Sequence, residues 1–333
     1  MNIYAYRLPH ENRIVAGCGD FLVEGMVKNS FLISPFGRDQ RVMSIPVDKE
    51  ITPEEIDLLM AEEYKRSETK EERSTTRSEH KEMVERTIAS IRNGKLDKCV
   101  MARIIVEEGR VKISQLLKRL SDDHPGAFIF MYHTAEHGTW VGASPEVLLL
   151  KRGNEIRSMA LAGTRAAGSE EEWSDKNVAE QRIVADYIAR QFAESGIEPT
   201  VSAATTHRAG NVEHLMTEIR GKVSDLSEAE RLAERLSPTP ALAGYPVDAA
   251  IEHIEQTEPF GRGGYGGYCG VIDLYGNISL YVNLRSLRIE KEHYTLYVGG
   301  GIMPDSDPDD EWQETEMKSL TIRDALTKRE ESN

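Results

Sequence analysis

The sequence predicts a mixed α/β fold, and three observations carry that expectation. Segments of alternating, β-branched pattern recur at Lys98–Glu107, Ala127–His133, Thr139–Gly142, Ser279–Arg288 and Tyr294–Val298. Between them lie segments with apolar residues at helical spacing and recognisable caps: Thr52 before Pro53, a capping box of Thr76 and Glu79, and Ser306 or Asp307 before Pro308. The turn Tyr275-Gly-Asn277 joins two strand-like pieces as a hairpin. No internal repeat or interdomain linker interrupts the chain, so a single domain over 1–333 is expected.

Composition narrows the function classes. The 333 residues are 39% hydrophobic and 29% charged, as in a soluble globular protein. The formal charge, 41 − 56 = −15, argues against nonspecific binding to nucleic acid or an acidic membrane. No apolar run approaches the ~20 residues of a membrane span, and MNIYAYRLPHENR lacks a signal-peptide core. Cys18, Cys99 and Cys269 are odd in number and have no metal-ligand spacing. They read as reduced thiols of a cytoplasmic protein.

In chain order, residues 1–50 hold short strand-like pieces such as Phe21–Val23 and Phe31–Ile33. Thr52-Pro-Glu-Glu opens a first helix. Tyr64–His80 is rich in charges and hydroxyls, the composition of a mobile surface segment without assigned function. The helix after Thr76 carries Val84, Ile88 and Ile91 on one face and stops near Gly94. Lys98 starts the next strand. Facing outward it is simply solvated; facing inward, desolvation lowers its pKa from ~10.4 toward the range of a base. A helix around Ile113–Arg119 leads to the strands Ala127–His133 and Thr139–Gly142. Gly142-Ala-Ser-Pro-Glu146 then puts a carboxylate in a turn before the apolar Val147–Leu150. On the surface Glu146 is unremarkable; in a cleft it is a proton donor.

Met159–Arg165 ends a strand in a small-residue loop whose N–H groups suit a carboxylate. A helix over Ser174–Phe192 buries Ile183, Val184, Tyr187 and Ile188 and carries Glu180, which alone reads as solvated. Glu213–Ile219 precedes a strand ending near Val223, and His214 alone reads as a packed or turn histidine. A helix at Ser227–Leu236 runs into the proline-stiffened 237–246 and a helix at Val247–Glu255. The glycine run Arg262–Gly270 lacks the context of a nucleotide-binding loop and reads as a bend before the strand Gly270–Leu274. The strand Ser279–Arg288 carries Arg285, a surface charge on an outer face or a bidentate carboxylate clamp on an inner one.

The stretch Gly299–Lys318, GGGIMPDSDPDDEWQETEMK, is the most informative. Three glycines close a strand as a side-chain-free loop, a proline- and aspartate-rich turn follows, and a helix starts at Pro308. Glu311, Glu314 and Lys318 fall at i, i+3 and i+7, on one helix face. Two carboxylates and an ammonium suit a divalent cation and an anionic substrate, although a surface helix laced with ion pairs shows the same pattern. The triple glycine, which lets backbone approach a partner closely, favours a site.

In this order DKCVMAR, GASPE, LAGT, SDKNVAEQRIV, EHLMT, LSPTPALAGYP, RGGYGGYCG, YVNLRS and the glycine-led stretch resemble the chorismate-utilising enzymes, most closely the isochorismate synthases. They run from about Lys98 to Lys318, roughly two-thirds of the chain, in a motif-bearing part of about 76–329. Each is weak singly; nine in the family's order form a strong signal. The residues before Lys98 match poorly and run shorter than is usual, which leaves room for a trimmed N-terminal strand layer. The resemblance implies an α/β fold of the α+β type, like anthranilate synthase component I: two packed, largely antiparallel β-sheets surrounded by helices. It implies that Lys98 is the general base for an attacking water and Glu146 the general acid for the departing hydroxyl. Glu180 and Glu314 resemble the Mg2+ ligands, with Glu311 beside them. Arg285, Gly163, Thr164 and the Gly299, Gly300, Gly301 loop resemble carboxylate-binding elements, and Lys318 a charge partner near the metal. His214, Thr217 and Ala241 resemble residues lining the substrate. The residue types suit these roles: burial shifts lysine and glutamate toward neutrality, and Mg2+ prefers oxygen ligands.

Within the family, the amine-using members typically have another residue at Lys98 and a GT-type segment where this chain has Pro238-Thr-Pro-Ala. The aminodeoxychorismate synthases also typically carry lysine where Ala162 precedes Gly163. These departures favour water over ammonia. The expected activity is a Mg2+-dependent isochorismate synthase acting on chorismate, for menaquinone or catechol siderophore biosynthesis, as a monomer without a glutamine amidotransferase subunit. Two alternatives stay open. One is salicylate synthase, which shares the lysine and adds pyruvate elimination. The other is a non-catalytic chorismate-binding relative, against which the intact Lys98, Glu146, Glu180 and Glu314 count.

Overall fold

The computed structural model describes residues 1–37, 41–66, 72–210 and 212–327. The elements begin with β1 (Asn2–Arg7), β2 (Val15–Gly19), β3 (Val23–Glu24), β4 (Ser30–Ser34), β5 (Met43–Pro46) and β6 (Lys49–Glu50). Helices α1 (Pro53–Arg66) and α2 (Arg77–Arg92) lead to β7 (Lys98–Glu108), α3 (Ile113–Asp123), β8 (Phe128–Thr134), β9 (Gly138–Ser144), β10 (Val147–Arg152) and β11 (Glu155–Ala166). Then come α4 (Asp175–Glu194), β12 (Thr200–Val201), β13 (Thr205–Ala209), β14 (Val212–Lys222), α5 (Leu226–Leu236), β15 (Gly244–Tyr245) and α6 (Val247–Thr257). The chain continues with β16 (Tyr268–Ile272), β17 (Ile278–Val282), β18 (Ser286–Ile289), β19 (His293–Ile302) and α7 (Pro308–Thr327).

The strands form two sheets. A nine-stranded sheet runs β15-β7-β19-β18-β9-β8-β1-β2-β6, and a ten-stranded sheet runs β12-β14-β11-β10-β17-β16-β4-β5-β3, with β13 also paired to β14. The pairings are antiparallel. Aromatic stacks join the sheets: Tyr4 of β1 on Phe31 of β4, centroids 5.3 Å apart, and Phe128 of β8 on Tyr281 of β17, 4.4 Å apart. The strand alternation of β7 sends Ala102 and Ile104 into this core and Cys99 and Met101 out against α2 and α6. Lys98 shares the inward parity. Helices α1, α3 and α7 cover the nine-stranded sheet through Ile56, Met60, Leu116, Leu120 and Ile322, while α4 buries Val184, Ile188 and Phe192 against β11 and β14.

Several local expectations change. The N-terminal strands pair into both sheets, β1 beside β8 and β4 beside β16. Ser279–Arg288 is two strands in different sheets, because Arg285 turns at φ +50°. Gly299, Gly300 and Gly301 are no loop; they pair in β19 with Ala102, Met101 and Val100. Met159–Arg165 stays in strand, its small residues forming a bulge between Ala162 and Thr164, and Glu213–Ile219 lies within β14 rather than before a strand. Of Tyr64–His80, residues 67–71 lie outside the described residues. The rest is not a free surface segment: Thr75 N–H donates to Ile104 O at 2.9 Å, and His80 is buried.

The inter-sheet stacks should be worth what large buried aromatics usually are. Phe128→Ala should lower the unfolding free energy by about 3–5 kcal/mol in urea titrations. A loss under ~1 kcal/mol would show that the site can collapse around the cavity.

Candidate active site

Two passages of the chain between the sheets set the site. After β9 the chain leaves the nine-stranded sheet through Pro145 and Glu146 to enter β10; after β17 it returns through 283–285 to β18. The passages are bonded to each other. Val282 N–H donates to Glu146 O at 3.0 Å, and Ala143 N–H to Arg285 O at 3.1 Å. The positive φ of Arg285 costs a non-glycine residue of order 1 kcal/mol. Beside these passages lies a narrow cavity of about 60 Å³, lined among others by Glu146, Gly163, Thr164, Glu180, His214, Ala241, Arg285, Gly299, Gly301 and Lys318. A wider cavity, about 690 Å³, shares Pro145 and Arg285 with it.

Lys98 is wholly buried. Its Nζ stands 2.9 Å from Glu180 Oε1 but out of hydrogen-bond alignment, so the contact is an ion pair. Glu146 is 2% exposed, and its Oε1 has no hydrogen-bond partner. Burial pushes its pKa up to about 8, against the pull of Lys98, Lys318 and Arg285. Glu146 therefore keeps its proton at neutral pH.

Arg285 donates from one guanidinium nitrogen to Thr321 Oγ1 at 3.1 Å, and the other lies 3.2 Å from His214 Nε2. His214 Nδ1 is 2.9 Å from Gly163 O and 3.3 Å from Thr164 Oγ1. A guanidinium only donates and a carbonyl only accepts. His214 must therefore carry its proton on Nδ1 and accept at Nε2, which makes it neutral. Burial, then Arg285 and Lys318, drive its pKa well below the usual value, in agreement. Burial also lowers Arg285, to about 10, so it stays charged at neutral pH. The φ of +73° at Gly163 makes the bulge, and a Cβ there would press on Asn177 O of α4 at 3.0 Å.

Helix α7 begins behind Asp307, whose carboxylate accepts from Asp309 and Asp310 N–H at 2.9 and 3.2 Å. Ser306, the other expected cap, instead donates to Glu311 Oε1 at 2.7 Å. Lys318 Nζ donates to Glu314 Oε1 at 2.6 Å and to Gly299 O at 2.8 Å. A Cβ on Gly300 would stand 2.7 Å from Glu311 Oε2 and 3.4 Å from Glu314 Oε1; one on Gly301 would collide with Glu180 Oε1. Glycine is needed here because carboxylates from α4 and α7 close over a strand.

Three carboxylates, Glu180, Glu311 and Glu314, thus lie close to the bare Gly300–Gly301 backbone. They are hard oxygen donors of the kind Mg2+ prefers. Glu311 Oε2 is buried without a partner, and burial followed by the Glu314 charge pushes the Glu311 pKa up. The donor set fits a hard divalent cation. As the side chains stand, each acid is held by a lysine: Glu180 by Lys98, Glu314 by Lys318, and Glu311 by Lys176 at 2.6 Å. Among the described residues no three such groups are near enough to hold an ion without rearranging.

Not every expected residue reaches the cavity wall. Lys98, Gly300, Glu311 and Glu314 stand behind it, and Thr217 accepts from Gln181 Nε2 at 2.7 Å. Sequence reading missed Lys176, Gln181 and the wall residue Tyr265. Lys176 was findable, one turn before Glu180 on the same helix face. It also missed Arg262, buried with Glu258. Arg262 donates to Val100 O and Leu242 O at 2.8 and 2.7 Å, and Glu258 accepts from Ala102 N–H at 2.8 Å. That pair fixes β7 beside Lys98 and the wall at Ala241 and Leu242.

Comparison with known proteins follows the same line. Residues 40–327 match the family described as chorismate binding enzyme. The chain is 31% identical over 329 residues to isochorismate synthase MenF of Bacillus subtilis (strain 168), covering 92% of this chain and 69% of that protein. It is 34% identical over 254 residues to isochorismate synthase EntC of Escherichia coli (strain K12), covering 72% and 65%. The chain thus spans about two-thirds of the length of these relatives. The solved structure of MenF, the menaquinone-specific isochorismate synthase from Escherichia coli, has a TM-score of 0.79 at 21% identity, over 98% of this chain and 89% of that one. Anthranilate synthase component I from Streptococcus pneumoniae shares the fold, with a TM-score of 0.67 at 18% identity over 92% and 83%. No helix of the described residues is long and apolar enough to cross a membrane.

The raised pKa of Glu146 has a stability signature. Its folded value lies above its unfolded one, so its contribution is full below the ordinary 4.5 and is lost as pH rises through about 8. Glu146→Gln, which stays neutral, should gain stability relative to the parent across that window, measured as the difference in urea midpoints. A difference flat in pH would mean that Glu146 is ionised at neutral pH.

Proposed function

The chain belongs to the chorismate-binding enzymes, and from that premise we propose that it is an isochorismate synthase. The observation that carries this reading is a buried glutamate on the wall of a narrow cavity, its pKa raised by burial, with a wholly buried lysine standing behind that wall. Lys98 acts as the neutral amine, its ammonium proton first lost to solvent, and takes a proton from water as the water oxygen bonds to a ring carbon of chorismate. The ring double bonds shift, and the C–O bond to the original hydroxyl breaks. Glu146 gives that hydroxyl its proton, and it leaves as water. One water enters and one departs, so the reaction is an isomerisation. A glutamate protonated up to about pH 8 is ready for that role without a further shift.

Chorismate is a dicarboxylate, and the cavity wall supplies its partners. Arg285, held by neutral His214 and Thr321, binds one carboxylate. The Gly163–Thr164 bulge, Lys318 and the backbone at Gly299 and Gly301 receive the other, and Ala241 packs against the ring. Thr217 acts through Gln181 rather than by touching substrate. Glu180, Glu311 and Glu314 would hold Mg2+, which when bound would supply positive charge to neutralise a substrate carboxylate. No ammonia-supplying subunit is needed, because the nucleophile is water. The same chemistry serves menaquinone or catechol siderophore biosynthesis.

The test is incubation with chorismate and Mg2+, with products separated by chromatography. Isochorismate should dominate, kcat/KM should fall above about pH 8 as Glu146 loses its proton, and EDTA should stop turnover. Lys98→Ala and Glu146→Gln should each lose about two or more orders of magnitude in rate. Salicylate with pyruvate, or an aminated product when ammonium is added, would replace this assignment; near-native turnover by folded Lys98→Ala would remove the base.

A further inference from the structure

Lys176 has no part in the chemistry just described. It lies in the first turn of α4, does not line the cavity, and its Nζ donates to Glu311 Oε1 at 2.6 Å. Glu311 is 1% exposed, and its second oxygen has no partner and faces Gly300. Glu180 is paired at 2.9 Å with Lys98 and Glu314 at 2.6 Å with Lys318. Three carboxylates are thus matched by three lysines, and the cluster is neutral with no further cation. Lys98 and Lys318 are committed to water and substrate. Among the described residues Lys176 pairs with Glu311 alone, with Nζ where a dication on Glu311 would meet a like charge.

We propose that Lys176 is a built-in counter-ion that competes with the divalent cation for Glu311 and so weakens metal binding to the substrate-free protein. This rests on the reading of Glu180, Glu311 and Glu314 as metal ligands. The two partners of Glu311, Lys176 and Ser306, come from different elements, α4 and the turn before α7. Ser306 is uncharged, so only the lysine sets the electrostatic competition. Removing one unit charge beside a dication should tighten its binding by at least tenfold, the value for charges about 6 Å apart screened as in bulk water. A plain structural ion pair between α4 and α7 would give a different result: its loss would lower the melting temperature and leave metal affinity alone.

The experiment is calorimetric titration of Mg2+ into the substrate-free full chain, parent against Lys176→Met and Lys176→Arg, with thermal melts of each. Lys176→Met, which keeps length without charge, should bind Mg2+ at least about tenfold more tightly. Lys176→Arg, which keeps the charge, should stay within about twofold of the parent. A parent too weak to titrate beside a Met variant that titrates also supports the proposal. Equal or weaker binding by a folded Met variant overturns it while leaving the metal ligands standing. Failure of parent and Met variant alike to bind, with or without chorismate, overturns the metal reading and the proposal together.

Discussion

A buried ammonium requires a carboxylate, and here the carboxylate reaches it past a strand stripped of side chains. Lys98 is wholly enclosed, and desolvating an ion costs several kcal/mol that only a close, well-placed counter-charge offsets. Glu180 supplies that charge from α4, past Gly301 of β19. The contact fixes three elements at once: β7 in its register with β19, α4 against β11, and the glycines that keep the space open. A methyl group at Gly301 would displace Glu180, and without Glu180 the lysine would be an uncompensated charge. Arg262 and Glu258 hold the same end of β7 from the other side, through Val100 and Ala102.

The second constraint is topological. Two packed antiparallel sheets need the chain to pass between them, and here two such passages are adjacent and hydrogen-bonded to each other. One carries Glu146 and the other Arg285. Passages are where the strand alternation breaks, so a side chain can turn into the inter-sheet space near the sheets' end instead of packing in the core. Burial then does opposite things to the two groups. It keeps the glutamate neutral, even beside three cations, and brings the arginine down without discharging it. An acid that can donate and a cation that can anchor coexist because their starting pKa values lie so far apart.

Much of this was legible in the sequence. The capping box at Thr76, the shared face of Glu311, Glu314 and Lys318, and the strand at Lys98 follow from local periodicity and cap chemistry, and the structure keeps them. Non-local features were hidden. Nothing in Ser279–Arg288 says that its two halves belong to different sheets, because β-branched alternation is the same in both and only the φ of Arg285 separates them. The triple glycine reads as a loop, since glycine is rare within strands; its actual cause, acids arriving from two helices distant in sequence, is invisible in one dimension. The same blindness hid Arg262, which looked like the edge of a glycine-rich bend and is a buried tether.

The claim on which the account stands is that the buried Lys98 activates water rather than allowing the substrate's own hydroxyl to migrate. Turnover of chorismate in oxygen-18 water, followed by mass spectrometry of the isochorismate formed in the first, irreversible-limit minutes, tests it most directly. The account predicts one heavy oxygen per product molecule, at the carbon bearing the new hydroxyl. Unlabelled isochorismate would contradict it, because the hydroxyl would then have moved without water entering at all.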